Sequence, residues 1–117
     1  MAKRKEYRMF IGRYQPFHAG HQTIINKVLK GERKNVFIAV RDTELSKSNP
    51  YTAEYRIAMI RKAYPLKKYG DRVIIKKIPD VVEVCYGRGV GWGMREIKVP
   101  KKVANISATK IRKARGI

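Results

Sequence analysis

The chain has 117 residues, 44% of them hydrophobic and 32% charged. That composition excludes a disordered tail, and no apolar run approaches the roughly 20 residues of a membrane span. Lysine and arginine total 28 against 9 acids, a formal charge of +19. Such a balance attracts polyanions (nucleotides, nucleic acid or phosphorylated metabolites) without saying which.

The length accommodates one domain, residues 1–117, with 1–6 as a basic lead. Arg8–Ile11 reads as a first strand. Gly12 to Gly20 follow as a tight loop. A helix begins at Gly20 or His21 and runs to Lys30, with Ile24, Ile25, Val28 and Leu29 on its apolar side. Gly31 is expected to end it. Val36–Val40 is continuously apolar, as a strand buried on both faces of a parallel sheet would be.

Arg41 to Tyr51 is a polar loop closed by Asn49-Pro50. Thr52 is placed to cap a second helix through Tyr64, with Ile57, Ile60 and Tyr64 on one face and Pro65 as the stop. Val73–Ile75 forms a third strand, and Pro79-Asp80 turns the chain. Val82–Tyr86 is expected as a short strand. Helical spacing there, with Asp80 and Glu83 as a capping box, is the alternative.

Gly87 to Gly93 holds four glycines and must be a loop. Ile97–Val99 is a candidate last strand, and Ser107 caps a C-terminal helix through Arg115. The alternation of strands and helices predicts an α/β fold: a Rossmann-like, open, mostly parallel sheet flanked by helices. Ligands of such sheets lie beyond the carboxyl ends of the strands, where His18, His21 and the 87–93 loop are expected.

Both histidines of the chain, His18 and His21, fall in one four-residue stretch, His18-Ala19-Gly20-His21. Two imidazoles and a helix N-terminus then converge on one point, which suits phosphate. A zinc pair is the alternative chemistry, but no further ligand set accompanies it. Cys85 is the one cysteine, so no internal disulfide forms; a reducing compartment and a buried, hydrophobe-like role are expected.

The stretch from Gly12 to His21 resembles the first signature of the HxGH nucleotidyltransferase superfamily. Ile106-Ser107-Ala108-Thr109-Lys110-Ile111-Arg112 is similar to its second, Ile-Ser-x-Thr-x-x-Arg. The wording Gly-Arg-Tyr-Gln-Pro-Phe-His and the segment Asn49–Arg56 look most like the archaeal-type nicotinamide mononucleotide adenylyltransferases and their viral and bacterial relatives.

That resemblance implies transfer of a nucleoside monophosphate, AMP foremost, from a triphosphate to a phosphate-bearing small molecule. Nicotinamide mononucleotide is the leading acceptor, and pyrophosphate is released. It implies His18, His21 and Arg112 as catalytic residues. Gly12, Arg13, Tyr14, Phe17, Gly20, Gly87, Arg88, Ser107 and Thr109 join them in binding nucleotide. Gly12 and Gly20 are expected to clear space for the ligand.

Acceptor contacts fall to Arg41, Arg56, Asp80 and Trp92, each with a plainer alternative. The two arginines could be simply solvated, Asp80 could be a cap, and Trp92 could fill core. Mg²⁺ is the implied cofactor, carried on phosphate oxygens and water rather than a protein cage. A homo-oligomer in the cytoplasm, with no membrane partner, completes the expectation.

The chain departs from the pattern in two ways. Few residues separate Ile75 from Ser107, and Gly87-Arg88-Gly89-Val90 lacks the acids that related cytidylyltransferases carry there. Alternatives are a cytidylyltransferase acting on glycerol phosphate or a similar metabolite, and a nucleic-acid-binding protein on the same scaffold. A fragment related to class I aminoacyl-tRNA synthetases is more remote.

Overall fold

The computed structural model describes residues 4–104 and 107–116. Three parallel strands form one sheet in the order β1-β2-β3. They are β1 (Tyr7–Gly12), β2 (Asn35–Arg41) and β3 (Val73–Ile78). Phe10 sits beside Ile38, and Ile38 beside Ile75.

Helix α1 (Ala19–Asn26) continues into a π turn, Lys27–Gly31. Gly31 closes that turn, and the left-handed residue is Arg33 at φ 56° rather than the glycine. Helix α2 (Ala53–Ala63) starts where the Thr52 hydroxyl accepts from the Tyr55 amide at 3.1 Å. Glu54 lies in its first turn and Arg61 and Lys62 in its last, matching the helix dipole. A short α3 (Leu66–Tyr69) and a 3₁₀ turn lead into β3.

Both helices pack on one face of the sheet. Ile25, Val28 and Leu29 from the first crossover and Ile60 and Tyr64 from the second meet Val36, Ile38, Val40, Val73 and Ile75. Because strand side chains alternate, Met9 and Ile11 of β1 point to the opposite face, and both are exposed.

Beyond Ile78 the expected fourth strand, Val82–Tyr86, does not form, nor does Ile97–Val99. The period-two pattern is present in the sequence, but among the described residues no strand lies alongside to pair with it. The alternative capping box at Asp80 and Glu83 is absent too. Residues 79–94 leave β3 as an extended arm. Cys85, expected to be buried, is exposed on it.

The chain then returns to the body. Arg95 makes a two-pronged pair with Glu32 at 3.0 and 3.1 Å, and Ile97 packs on the core. Helix α4 (Lys101–Ala104) brings the Val103 side chain beside the start of α1. Helix α5 (Ala108–Ala114) is capped by Ser107, whose hydroxyl accepts from the Lys110 amide at 3.2 Å.

Candidate active site

The N-terminus of α1 is built by the histidines themselves. His18 is the N-cap: its Nδ1 accepts from the Gly20 amide at 3.0 Å. His21 reaches back, and its Nδ1 accepts from the His18 amide, also at 3.0 Å. This is a capping box with imidazoles in place of the usual serine and glutamate. Each Nδ1 is occupied as an acceptor, so each neutral ring carries its proton on Nε2. Two N–H donors are thereby fixed at a helix N-terminus.

The rings stack on each other with centroids 3.8 Å apart. Two imidazolium charges at that distance would repel by on the order of 4 kcal/mol at an effective dielectric of about 20. Burial lowers the pKa of His18 below its ordinary value. Burial, then the neighbouring His18, lowers that of His21 to about 3. The pair is therefore neutral at physiological pH.

Tyr14 and Phe17, expected among the nucleotide contacts, support His21. Phe17 stacks on its ring at 5.6 Å, and Tyr14 meets it edge-on at 4.8 Å. Tyr14 is buried, with φ 49°. Its ring lies over Gly12, where an added Cβ would come within 3.0 Å. A Cβ on Gly20 would lie 2.8 Å from the His18 ring. The space these two glycines clear is filled by the protein's own rings.

Gln15, quoted in the motif but given no role from sequence, ties the two loops at the strand ends. Its amide oxygen accepts from the Tyr51 amide at 3.0 Å, and its Nε2 donates to the Tyr51 carbonyl at 3.1 Å. The second motif joins at the same residue. Arg112 is buried, and its Nη1 donates to the Gln15 carbonyl at 2.6 Å, while Nη2 reaches the Thr109 hydroxyl at 3.4 Å. Segments 97 residues apart in sequence thus meet three positions before His18. Ile106 lies outside the described residues.

Two clefts open beside this junction. One, of about 490 Å³, is lined by Arg13, Arg41 and Asp80 together with Asp42, Thr43 and Ser46. Asp80 is an ion-pair partner, with its carboxylate 2.9 Å from Arg41. The other, of about 430 Å³, is lined by Thr109, Arg112 and Lys113 on one side and Ser46, Lys47 and Ser48 on the other. Among the described residues, the side chains that line it carry hydroxyls and cations. Lys47 and its two flanking serines escaped the sequence reading; a lysine between small polar residues in a strand-end loop was the available signal.

Arg56 corrects an expectation. It is not solvated but fully buried. Its guanidinium donates to the carbonyls of Arg13 and Arg41 at 2.6 and 2.7 Å and to those of Tyr51 and Thr52 at 3.1 Å. It braces the strand ends from below. Gly87, Arg88 and Trp92 sit on the exposed arm, and none of them lines either cleft. Trp92 does not fill core: it is 65% exposed.

A parallel sheet with a donor-lined helix start at its carboxyl edge defines an α/β protein suited to holding phosphate. The chain belongs to the cytidylyltransferase-like family, whose model matches residues 9–82. Over 75 residues it is 41% identical to a nicotinamide-nucleotide adenylyltransferase of Methanococcus aeolicus, covering 62% of this chain and 42% of that protein. Proteins of the same name from Thermoplasma volcanium and Thermoplasma acidophilum are 40% and 42% identical over 65 residues, covering 53% of this chain and 36% of each relative. The chain thus matches less than half the length of these relatives. Among the described residues, no helix is long and apolar enough to cross a membrane.

Proposed function

We propose that the chain is a nucleotidyltransferase that moves AMP from ATP to nicotinamide mononucleotide. An oxygen of the acceptor phosphate attacks the α-phosphorus of the triphosphate, the bond to the β-phosphate oxygen breaks, and pyrophosphate leaves. No covalent enzyme intermediate is needed, so catalysis is positioning plus neutralisation of charge. The observation that carries this reading is the imidazole capping box, which presents two oriented Nε2–H donors at the start of α1.

In this reading His18 and His21 bind the triphosphate, and His21 stabilises the charge that builds at the α-phosphorus. Ser107 and Thr109 take the β- and γ-phosphates. Arg112 clamps the leaving pyrophosphate, assisted by the cation-lined cleft that Thr109 and Arg112 share with Lys47. Arg13, Arg41 and Asp80 hold the acceptor in the neighbouring cleft.

The donors available are imidazole N–H, hydroxyl, guanidinium and ammonium groups. No group of three or more His, Cys, Asp or Glu side chains is gathered among the described residues. That donor set fits a Mg²⁺ delivered on the triphosphate, where it would neutralise phosphate charge. The relatives' names favour ATP and nicotinamide mononucleotide. The family description keeps CTP with a phosphometabolite as the second reading.

The discriminating experiment measures pyrophosphate from each nucleoside triphosphate, with Mg²⁺, against nicotinamide mononucleotide, glycerol phosphate and related acceptors. ATP with nicotinamide mononucleotide is expected to give the fastest release, with the dinucleotide as co-product. Release only from CTP would establish the second reading. Release from no pair, with oligonucleotide binding that falls steeply with salt, would favour the nucleic-acid reading.

A further inference from the structure

We propose that Gln15 is a positioning residue that sets the spacing between the two walls of the cleft for the triphosphate tail. It pins one wall with its side chain and the other with its backbone. The inference rests on the nucleotidyltransferase reading above and adds to it a residue that touches no phosphate.

The two walls come from distant parts of the chain. Ser46, Lys47 and Ser48, on the loop after β2, form one; Thr109, Arg112 and Lys113 of α5 form the other. The loop has little apolar anchorage. From Glu44 to Pro50 its one large hydrophobe is Leu45, which is 62% exposed. Hydrogen bonds, rather than packing, therefore decide where the loop stands. Ser46 and Asn49 exchange two backbone bonds at 3.1 Å, closing a compact turn around Lys47 and Ser48. A closed turn moves as one piece, so its location is fixed at its ends.

Gln15 holds both ends, and it is only 2% exposed. Where the loop leaves β2, Nε2 donates to the Thr43 hydroxyl at 3.3 Å. Where the loop returns, Nε2 donates to the Tyr51 carbonyl at 3.1 Å and Oε1 accepts from the Tyr51 amide at 3.0 Å. Tyr51 thus calls for a donor and an acceptor side by side. A primary amide supplies both, and an ionised carboxylate does not. The backbone carbonyl of the same residue accepts from Arg112 at 2.6 Å. The loop that carries Lys47 and the helix that carries Arg112 are therefore joined through one buried residue.

Arg56 does a different job. It holds the strand ends through the carbonyls of Arg13, Arg41, Tyr51 and Thr52. Arg115 ties the exposed C-terminal end of α5 to the Tyr51 hydroxyl. Gln15 lies where the two motifs meet, and losing its side chain frees the Lys47 wall while the carbonyl that holds Arg112 remains.

The test is a double-variant cycle on ligand affinity. Calorimetry is run with ATP and with AMP, which lacks the β- and γ-phosphates. The wild-type chain should bind ATP more tightly than AMP. Gln15→Met keeps the side-chain volume and loses its hydrogen bonds. Its ATP affinity should fall about tenfold, the low end for a hydrogen bond to a charged group, and its AMP affinity should stay within about twofold. Lys47→Ala should show a similar loss, also confined to ATP. The double variant should lose no more than the larger single loss, because a misplaced loop and a missing ammonium forfeit the same contact. If Gln15→Met loses the native circular dichroism, Thr43→Val decides. It drops one loop-end bond at a half-buried position and should weaken ATP about twofold with AMP unchanged.

Unchanged ATP affinity in Gln15→Met, or in Thr43→Val where that variant decides, would overturn the proposal. So would equal losses for ATP and AMP, the mark of general loosening. Additive losses in the cycle would also overturn it, since they separate Gln15 from Lys47. In these cases a wild-type preference for ATP would leave the enzymatic reading standing. A wild-type chain that binds ATP no better than AMP would contradict both.

Discussion

At the residue scale, two histidines do the work of a cap before they do any chemistry. Each spends Nδ1 on a backbone amide and is left with a fixed Nε2–H. The pairing of His18 with His21 was legible in the sequence, because both histidines fall in one short motif ahead of an amphipathic run. The roles of Tyr14, Phe17 and Gly12 were not. A left-handed tyrosine folded back over a glycine is a tertiary arrangement, and no spacing rule announces it.

The neutrality of His21 has a pH signature. Its folded pKa of about 3 lies below the ordinary 6.5, so between these values the unfolded chain binds more protons than the folded one. The stability from this group is complete above 6.5 and is lost as pH falls toward 3. In an NMR titration the His21 ring should still report the neutral form at about pH 5, where an unperturbed histidine is almost wholly charged. Urea midpoints should fall over the same acidic range. Titration of His21 near 6.5 would contradict the stacked, buried geometry.

At the element scale, the first three strands and two long helices follow from signals that are local: apolar runs, Thr52 as a cap, Pro65 as a stop. The predicted strands at 82–86 and 97–99 failed for the opposite reason. A strand needs a partner, and β-propensity is only the tendency to fit one. The position of α5 was also beyond sequence reasoning, since it depends on pairings across the whole chain. Besides Arg112, the helix end is held by Arg115, whose Nη1 donates to the Tyr51 hydroxyl at 3.0 Å. Tyr51 in turn stacks on Tyr55 at 4.9 Å.

This attachment is testable without touching the proposed phosphate ligands. Tyr51→Phe removes the acceptor and keeps the stack, so the seating of α5 should loosen. Amides of α5 should then exchange with solvent faster, with β2 amides unchanged. Unaltered α5 exchange would mean that Arg115 does not seat the helix.

At the scale of the whole molecule, the fold is one half of a doubly wound plan. Both crossovers lie on one side of three parallel strands, and the clefts open at the carboxyl edge where such sheets bind ligands. In the proposed reading the high positive charge suits a substrate as anionic as a triphosphate; Lys47 of the loop after β2 and Arg112 and Lys113 of α5 line one cleft. Sequence reasoning recovered this general plan and the two motifs. It could not show that Gln15 is their meeting point, or that Arg56 is buried against four backbone carbonyls. Both facts depend on which carbonyls the folded chain leaves to be satisfied.

The central claim is that side chains from the first and last thirds of the chain act on one triphosphate. Its most direct test is the rate of pyrophosphate formation from ATP and nicotinamide mononucleotide for the wild-type chain, His21→Ala and Thr109→Ala, with folding checked by circular dichroism. The account predicts turnover for the wild type, a fall of about 10²–10³ for His21→Ala, as expected when one preorganised donor is removed, and a smaller but clear fall for Thr109→Ala. Full rates in both variants, or no pyrophosphate from a correctly folded wild-type chain with any triphosphate and acceptor, would contradict it.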